Sequence, residues 1–409
     1  MKKTFALMLS LLLVALCSLS VLADDHAALF AQLDADYYSR FQGQDISINV
    51  YNWGEYISDG TQDSLDVNEA FEALTGIEVN YTFYATNEEL YAKLRAGGST
   101  YDVIVPSEYM IGRMVQEDML EELNKDNIPN FKNIDPALLN MEFDPDNAHS
   151  IPYTWGTVVL IYNTELVSED TDVETWDLLW NEKYKGNILM FNNPRDAYGI
   201  ALKKLGYGTN PENQEQVDKA TALLKIQKPV VQAYVMDEIF DKMGAGEAAI
   251  APYYSGDAIT MMEENPALAV AIPREGTNIF IDGMCIPKGA KQKEAAEMYI
   301  NFMCEPAVGA ANCAYIGYST PNLAALELLD DEIKFNPIAY PSDEVLAKTA
   351  YFVPLDDTLN KALDAGWKQL LADDENFTFW LVPALLLFAV IASIVIVARK
   401  AVRKKRDNY

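Results

Sequence analysis

Between Ile46 and Val105 the sequence repeatedly changes its hydrophobic period, and that alternation limits the folds open to it. Ile46, Ile48 and Val50 alternate as a strand. Val67, Ala70, Phe71 and Leu74 then mark one face of a helix over about 64–74, with Gly76 as its stop. Ile77, Val79, Tyr81 and Phe83 alternate again, and Thr86-Asn87-Glu88-Glu89 is a capping box opening a helix to Ala96. Val103-Ile104-Val105 is a short strand stopped by Pro106. A β-α-β-α-β series joined this way needs a largely parallel sheet covered by helices.

The middle of the chain repeats the theme. Strands are expected at Val158–Tyr162, Ile188–Phe191, Ala248–Ala251 and Ile279–Ile286, and helices at Glu212–Ile226, Met236–Met243 and Lys293–Cys304. With 409 residues, half of them apolar, and no low-complexity linker, two α/β lobes on one continuous chain fit best. Sheets of this kind bind ligands beyond the carboxyl ends of their strands.

Both ends differ from this pattern. Residues 1–23 have a basic start at Lys2 and Lys3, an apolar run Leu7–Leu16 and a small-residue exit at Ala23, the form of a secretory signal. A lipid-modified signal ending at Cys17 is the competing reading, although Leu16 stands where a small residue is usual. Phe379–Ala398 is a 20-residue uncharged stretch, enough to cross ~30 Å of hydrocarbon as a helix. Six cations within residues 399–406 follow it and predict a cytoplasmic tail. The expectation is a single-pass cell-membrane protein with residues 24–378 outside and 24–45 as a spacer helix.

Charge narrows the partners. The whole chain carries −30, and the exported part has 23 basic against 60 acidic residues. Nucleic acid and anionic lipid need a cationic face and are excluded as main partners, whereas cations are drawn in. Two histidines, His26 and His149, leave little for a His-based metal site. Cys285, Cys304 and Cys313 are an odd number in an exported chain; Cys304 and Cys313 either pair or serve as small core residues.

The strand-end loops pair acids with aromatics: Glu55 with Trp53 and Tyr56, Asp196 with Tyr198, Asp257 with Tyr254, and Asp282 with Phe280. A desolvated organic ammonium needs carboxylates to balance its charge and aromatic faces worth roughly 0.5–2 kcal/mol each. An elongated polyamine suits such loops. Two other chemistries use the same residues: Tyr253 and Tyr254 as phenolate ligands for ferric ion, or two loop carboxylates as the acid and base of a glycosidase. No phosphate-binding glycine loop is present and no cofactor is expected.

Four segments decide between these readings. Tyr51–Tyr56, Val105–Tyr109, Ile151–Gly156 and Gly317–Asn322, taken in order, resemble the spermidine/putrescine-binding proteins of polyamine ABC transporters. The resemblance covers about residues 46–372 and implies a two-lobe α/β fold, periplasmic-binding-protein-like (type II), with hinge crossings, to which this chain adds its C-terminal transmembrane helix. The implied division is 46–158 with 281–325 for lobe 1 and 159–280 with 326–372 for lobe 2, followed by the span 379–398 and the tail 399–409. The implied site takes Trp53, Glu55, Tyr56, Ser107, Tyr109, Asn193, Asp196, Tyr254, Phe280, Asp282 and Tyr318, with Glu55, Asp196 and Asp282 holding amines. The implied role is capture of a polyamine for ABC permease subunits, without catalysis; a polyamine sensor or adhesin on the same fold is the alternative. Gly54 stands where the family often has threonine, Asn193 where it has a carboxylate, and Tyr254 and Phe280 where it has tryptophans. One fewer carboxylate and less indole predict a weaker hold on a triamine and a preference for a diamine.

Overall fold

The computed structural model describes residues 26–97 and 100–372. The expected signal at 1–23, the Cys17 alternative, the span 379–398 and the tail 399–409 lie outside the described residues. Among the described residues no helix is long and apolar enough to cross a membrane.

Among the described residues ten strands carry the fold: β1 (Ser47–Trp53), β2 (Glu78–Tyr84), β3 (Val103–Ile104), β4 (Ser150–Asn163), β5 (Ile188–Phe191), β6 (Val231–Val235), β7 (Ile250–Tyr254), β8 (Leu268–Ala271), β9 (Thr277–Cys285) and β10 (Thr349–Ala350). β1 lies between β2 and β3, parallel to both, and β3 meets β9 antiparallel at Ile104 and Cys285. On the other side β5 is parallel to β6 and β7.

β4 joins the two halves. Its residues 150–157 pair antiparallel with β9, and its residues 158–163 pair with β7 and β8. The buried side chains form separate cores accordingly. One contains Val158–Leu268 side chains together with Leu355, Leu359, Leu363 and Trp367. The other contains Ile48, Phe71, Val103, Tyr153, Phe280, Phe302 and Tyr318. The chain passes from the second core to the first within β4 and returns by β9; a third cluster, with Tyr51, Ile104, Tyr109 and Phe352, hands it back to the first core between Phe352 and Leu355. Leu329 packs with Ala310 and Ala325 in a small cluster of its own.

The lead-in differs from a spacer helix. It forms two single-turn helices, Ala27–Phe30 and Ala35–Tyr38, docked onto the second core. Tyr38 is fully buried there, donating to Glu305 Oε1 at 2.7 Å and accepting from Asn301 Nδ2 at 2.8 Å. Asp34 caps the second turn by accepting from Asp36 and Tyr37 amides. Cys285, Cys304 and Cys313 are all buried and free, so Cys304 and Cys313 do not pair but fill core space.

Candidate functional site

The carboxyl ends of β1, β3, β5, β6 and β7 point at one cleft beside the crossing strand β9, as the strand-end rule requires. A cavity of about 570 Å³ lies there. Its wall includes the carboxylates Glu108, Asp196, Asp237, Asp257 and Asp282, and rings from Trp53, Tyr56, Tyr109, Tyr253, Tyr254, Phe280, Tyr318 and Phe352. Neither lysine nor arginine is among the lining residues.

Asp282 is central. It sits on β9, 4% exposed, and its Oδ2 accepts the Tyr56 hydroxyl at 2.6 Å. Its Oδ1 is buried and makes no hydrogen bond at ordinary distance, the Ser107 hydroxyl lying near enough only to ease its charge. Burial pushes this carboxyl up to about 6, against the Ser107 and Tyr56 hydroxyls that lower it. Tyr56 also touches Thr154 Oγ1, and its ring meets Tyr318 edge-on with centroids 4.8 Å apart.

Asp196 begins the Pro194–Lys204 helix, whose N-cap is Asn193, accepting from the Arg195 amide at 3.0 Å. Its Oδ2 accepts from the Tyr254 hydroxyl at 2.8 Å. Burial pushes it up to about 7; the Tyr254 bond and the Arg195 guanidinium lower it, while Glu88 and Asp282 raise it. Arg195 lies behind the wall, its guanidinium 4.8 Å from the Tyr109 ring centre and 4.7 Å from that of Phe352. Asn87 ties this side together, donating to Ser107 Oγ and Tyr109 Oη at 3.1 Å each.

Asp257 opens the Ser255–Glu264 helix. Burial raises it well above the carboxylate range, with Asp237, Glu55 and Asp282 adding to the rise and the Tyr318 hydroxyl opposing it. Glu108 is fully buried and raised for the same reason, with Asp282 as its nearest electrostatic burden. Its two oxygens accept from the Ile281 and Phe352 amides at 3.2 and 3.1 Å. Contacts string the anionic groups along the cleft: Asp196 accepts from Tyr254, whose ring meets Phe280; Asp282, two residues on, accepts from Tyr56, whose ring meets Tyr318; and Asp237 lies against Gly54, two residues before Tyr56. Such a row fits a ligand with positive charges spaced along a chain, and the rings between them fit its methylenes.

Ten of the eleven residues singled out from sequence line this cavity: Trp53, Tyr56, Ser107, Tyr109, Asn193, Asp196, Tyr254, Phe280, Asp282 and Tyr318. Glu55 does not. Its backbone is left-handed (φ 46°), which turns an exposed side chain into an adjoining outer groove that shares Trp53, Gly54 and Tyr56 with the cavity. Sequence reasoning missed Asn87, Glu108, Asp237, Asn278 and Phe352 as wall residues and left Asp257 as a loop acid. Tyr253 and Tyr254 are poorly placed for ferric ion, since burial raises both phenols well above their usual value. Tyr253 stacks on Phe191 with ring centres 5.3 Å apart, and Tyr254 spends its hydroxyl on Asp196. Among the described residues no group of His, Cys, Asp and Glu side chains is arranged to hold a metal.

Comparison with known proteins agrees with this architecture. The family described as bacterial extracellular solute-binding protein matches residues 67–341. The spermidine/putrescine-binding periplasmic protein of Salmonella typhimurium is 36% identical over 303 residues, covering 74% of this chain and 85% of its own. The putrescine-binding periplasmic protein SpuD of Pseudomonas aeruginosa is 32% identical over 340 residues, covering 79% and 91%. The solved spermidine/putrescine ABC transporter substrate-binding protein PotD of Streptococcus pneumoniae superposes with a TM-score of 0.66 at 37% identity, covering 80% and 98%. Proteins of this family bind solutes for ABC transporters and catalyse no reaction, so the glycosidase reading falls. The chain belongs to the bacterial extracellular solute-binding proteins.

Proposed function

We propose that this chain captures an extracellular polyamine, spermidine or putrescine, in the cleft and presents it to the membrane subunits of an ABC permease. The observation that carries the reading is a cleft wall of five carboxylates and eight aromatic rings with no cationic side chain, in which buried Asp282 Oδ1 has no hydrogen-bond partner at ordinary distance. An unpaired buried carboxylate costs several kcal/mol, and an ammonium supplied from outside removes that cost. Asp196 and Asp282 hold ammonium groups; Trp53, Tyr56, Tyr254, Phe280 and Tyr318 cover the methylenes. Ser107, Tyr109 and Asn193 fix the carboxylates and rings through hydrogen bonds. Spermidine and putrescine amines, with pKa values near lysine's ~10.4, arrive charged. The names of the relatives support the same ligand class.

The remaining parts of the proposal are the closure and the tether. The lobe boundaries lie at the crossings in β4 and β9 and near residue 353, later than the 325/326 boundary that the resemblance implies, and the lobes close by bending there. Residues 1–23 are removed on export, and 379–398 hold the protein in the cell membrane with 399–409 in the cytoplasm.

Thermal unfolding of the purified protein tests the ligand. A polyamine at about 100 times its dissociation constant adds about 2.7 kcal/mol to native stability. A rise in Tm with spermidine or putrescine, and none with ferric citrate, is expected; no rise with any polyamine rejects the reading. Cell fractionation tests the tether: the full chain stays with membranes, and a chain ending at residue 378 is released.

A further inference from the structure

The amine contact expected of Glu55 is left vacant by its outward turn, and a different carboxylate reaches the same place from the opposite lobe. Asp237 follows the carboxyl end of β6 and is the N-cap of the Glu238–Gly244 helix. An aspartate there normally turns back to accept amides of the first turn. This one makes no capping hydrogen bond; its backbone is already helical (φ −60°, ψ −18°) and its side chain is directed across the cleft. It lies over Gly54, so close that a Cβ at position 54 would overlap Asp237 Oδ2. Asp237 is an exposed residue with no ion pair among the described residues, and partial desolvation of its carboxyl, together with Glu55 and Glu238, raises it above the usual range.

Its place in the row matters. Asp196 is held by the Tyr254 hydroxyl, and Asp282 by that of Tyr56, whose ring meets Tyr318 packed over Gly256 next to Asp257. Asp237 comes last, where the cavity meets the outer groove across Trp53, Gly54 and Tyr56. The same cavity contains the buried Asp282 Oδ1, with no hydrogen-bond partner at ordinary distance, which marks it as built for a cation.

We infer that Asp237, given room by Gly54, is the carboxylate that receives the outermost ammonium of a triamine and so favours spermidine over putrescine. The inference rests on the polyamine reading above. A diamine is satisfied by Asp196 and Asp282 and leaves Asp237 to water at the mouth; a third ammonium extends to it. The carboxylate lost at Asn193 is thereby replaced at the other end of the row.

Calorimetric titration of the full-length protein in detergent micelles with spermidine and with putrescine tests this. Asp237→Asn is expected to weaken spermidine about tenfold, the loss of one charge-assisted contact, and putrescine less than about twofold. Gly54→Ala crowds Asp237 out of place and is expected to give the same selective loss. The double variant is expected to lose no more than either single one, because both act on one contact. Asp241→Asn, on the same helix but outside the cavity wall, is the control and leaves both affinities unchanged. Unaltered spermidine affinity in Asp237→Asn, or equal losses for the two amines, overturns the inference while the polyamine reading stands. Failure of the native protein to bind either amine rejects that reading and the inference with it.

Discussion

Asp282 and Asp196 carry opposite consequences for the empty and the filled protein. Their carboxyls sit at about 6 and about 7 in the folded chain, above the ~3.9 of an unfolded aspartate. Between those limits the folded state binds more protons than the unfolded one, so ligand-free stability is highest at low pH and falls as pH rises to about 7. A cationic ligand needs the ionised forms, so its affinity runs the other way and strengthens from pH 5 to 8. Tm scans without ligand and titrations across that range are expected to slope in opposite directions; a pH-independent affinity would show that these carboxylates do not meet the ligand. Asp282→Asn sharpens the contrast. Removing the orphaned charge is expected to leave the empty protein as stable or more so, while binding loses about 2–5 kcal/mol. At this scale the sequence was informative wherever a side chain follows a recognised strand, as Asn193, Asp196 and Tyr254 do. Glu55 escaped it because one left-handed backbone angle decides which groove receives the side chain, and no hydrophobic pattern encodes that angle.

Among the elements, β9 and the Glu108–Gln116 helix are locked by one side chain. Glu108 takes the Ile281 amide from the crossing strand and the Phe352 amide from the third crossing. Glu108→Gln sets an amide N–H against one of those N–H donors and leaves it unpaired. A loss of about 1–3 kcal/mol in denaturant unfolding is expected, together with altered ligand affinity because the lock lies in the cavity wall. Unchanged stability would show that water readily replaces the lock. Ile188–Phe191 and Asn87–Ala96 were readable to the residue, since one is a solid apolar run between turn signals and the other begins with a capping box. β6 was not. Val231-Gln232-Ala233-Tyr234-Val235 follows Lys228-Pro229 with only a half-buried pattern, and without that strand Asp237 had no strand end to belong to. The Pro194–Lys204 and Ser255–Glu264 helices were also hidden, because their buried small residues give no clear apolar stripe.

For the whole molecule, charge governs the approach of ligand more than its retention. The field of a chain with 31 basic and 61 acidic residues accelerates the encounter of a polycation and is screened beyond roughly 8 Å at physiological salt. Stopped-flow association rates are expected to fall steeply as salt is raised from 10 to 300 mM on the order used for such tests, with dissociation changing far less. A dissociation rate that rises in parallel would place the effect in the cavity instead. The α/β architecture was legible in the strand and helix periods, which form two β-α series, β1–β3 and β5–β7, joined by β4.

The last described helix gives the two lobes unequal mechanical parts. Asp357–Ala372 packs Leu359, Leu363, Trp367 and Leu370 into the core that holds β5, β6 and β7, whereas Tyr38 at the other end of the chain is buried in the core of β1 and β3. A pull transmitted through residue 372 is therefore borne by the β5–β7 lobe alone. Under the proposed closure and tether, that lobe is the anvil and the lobe carrying Trp53 and Tyr56 is the jaw that swings onto it.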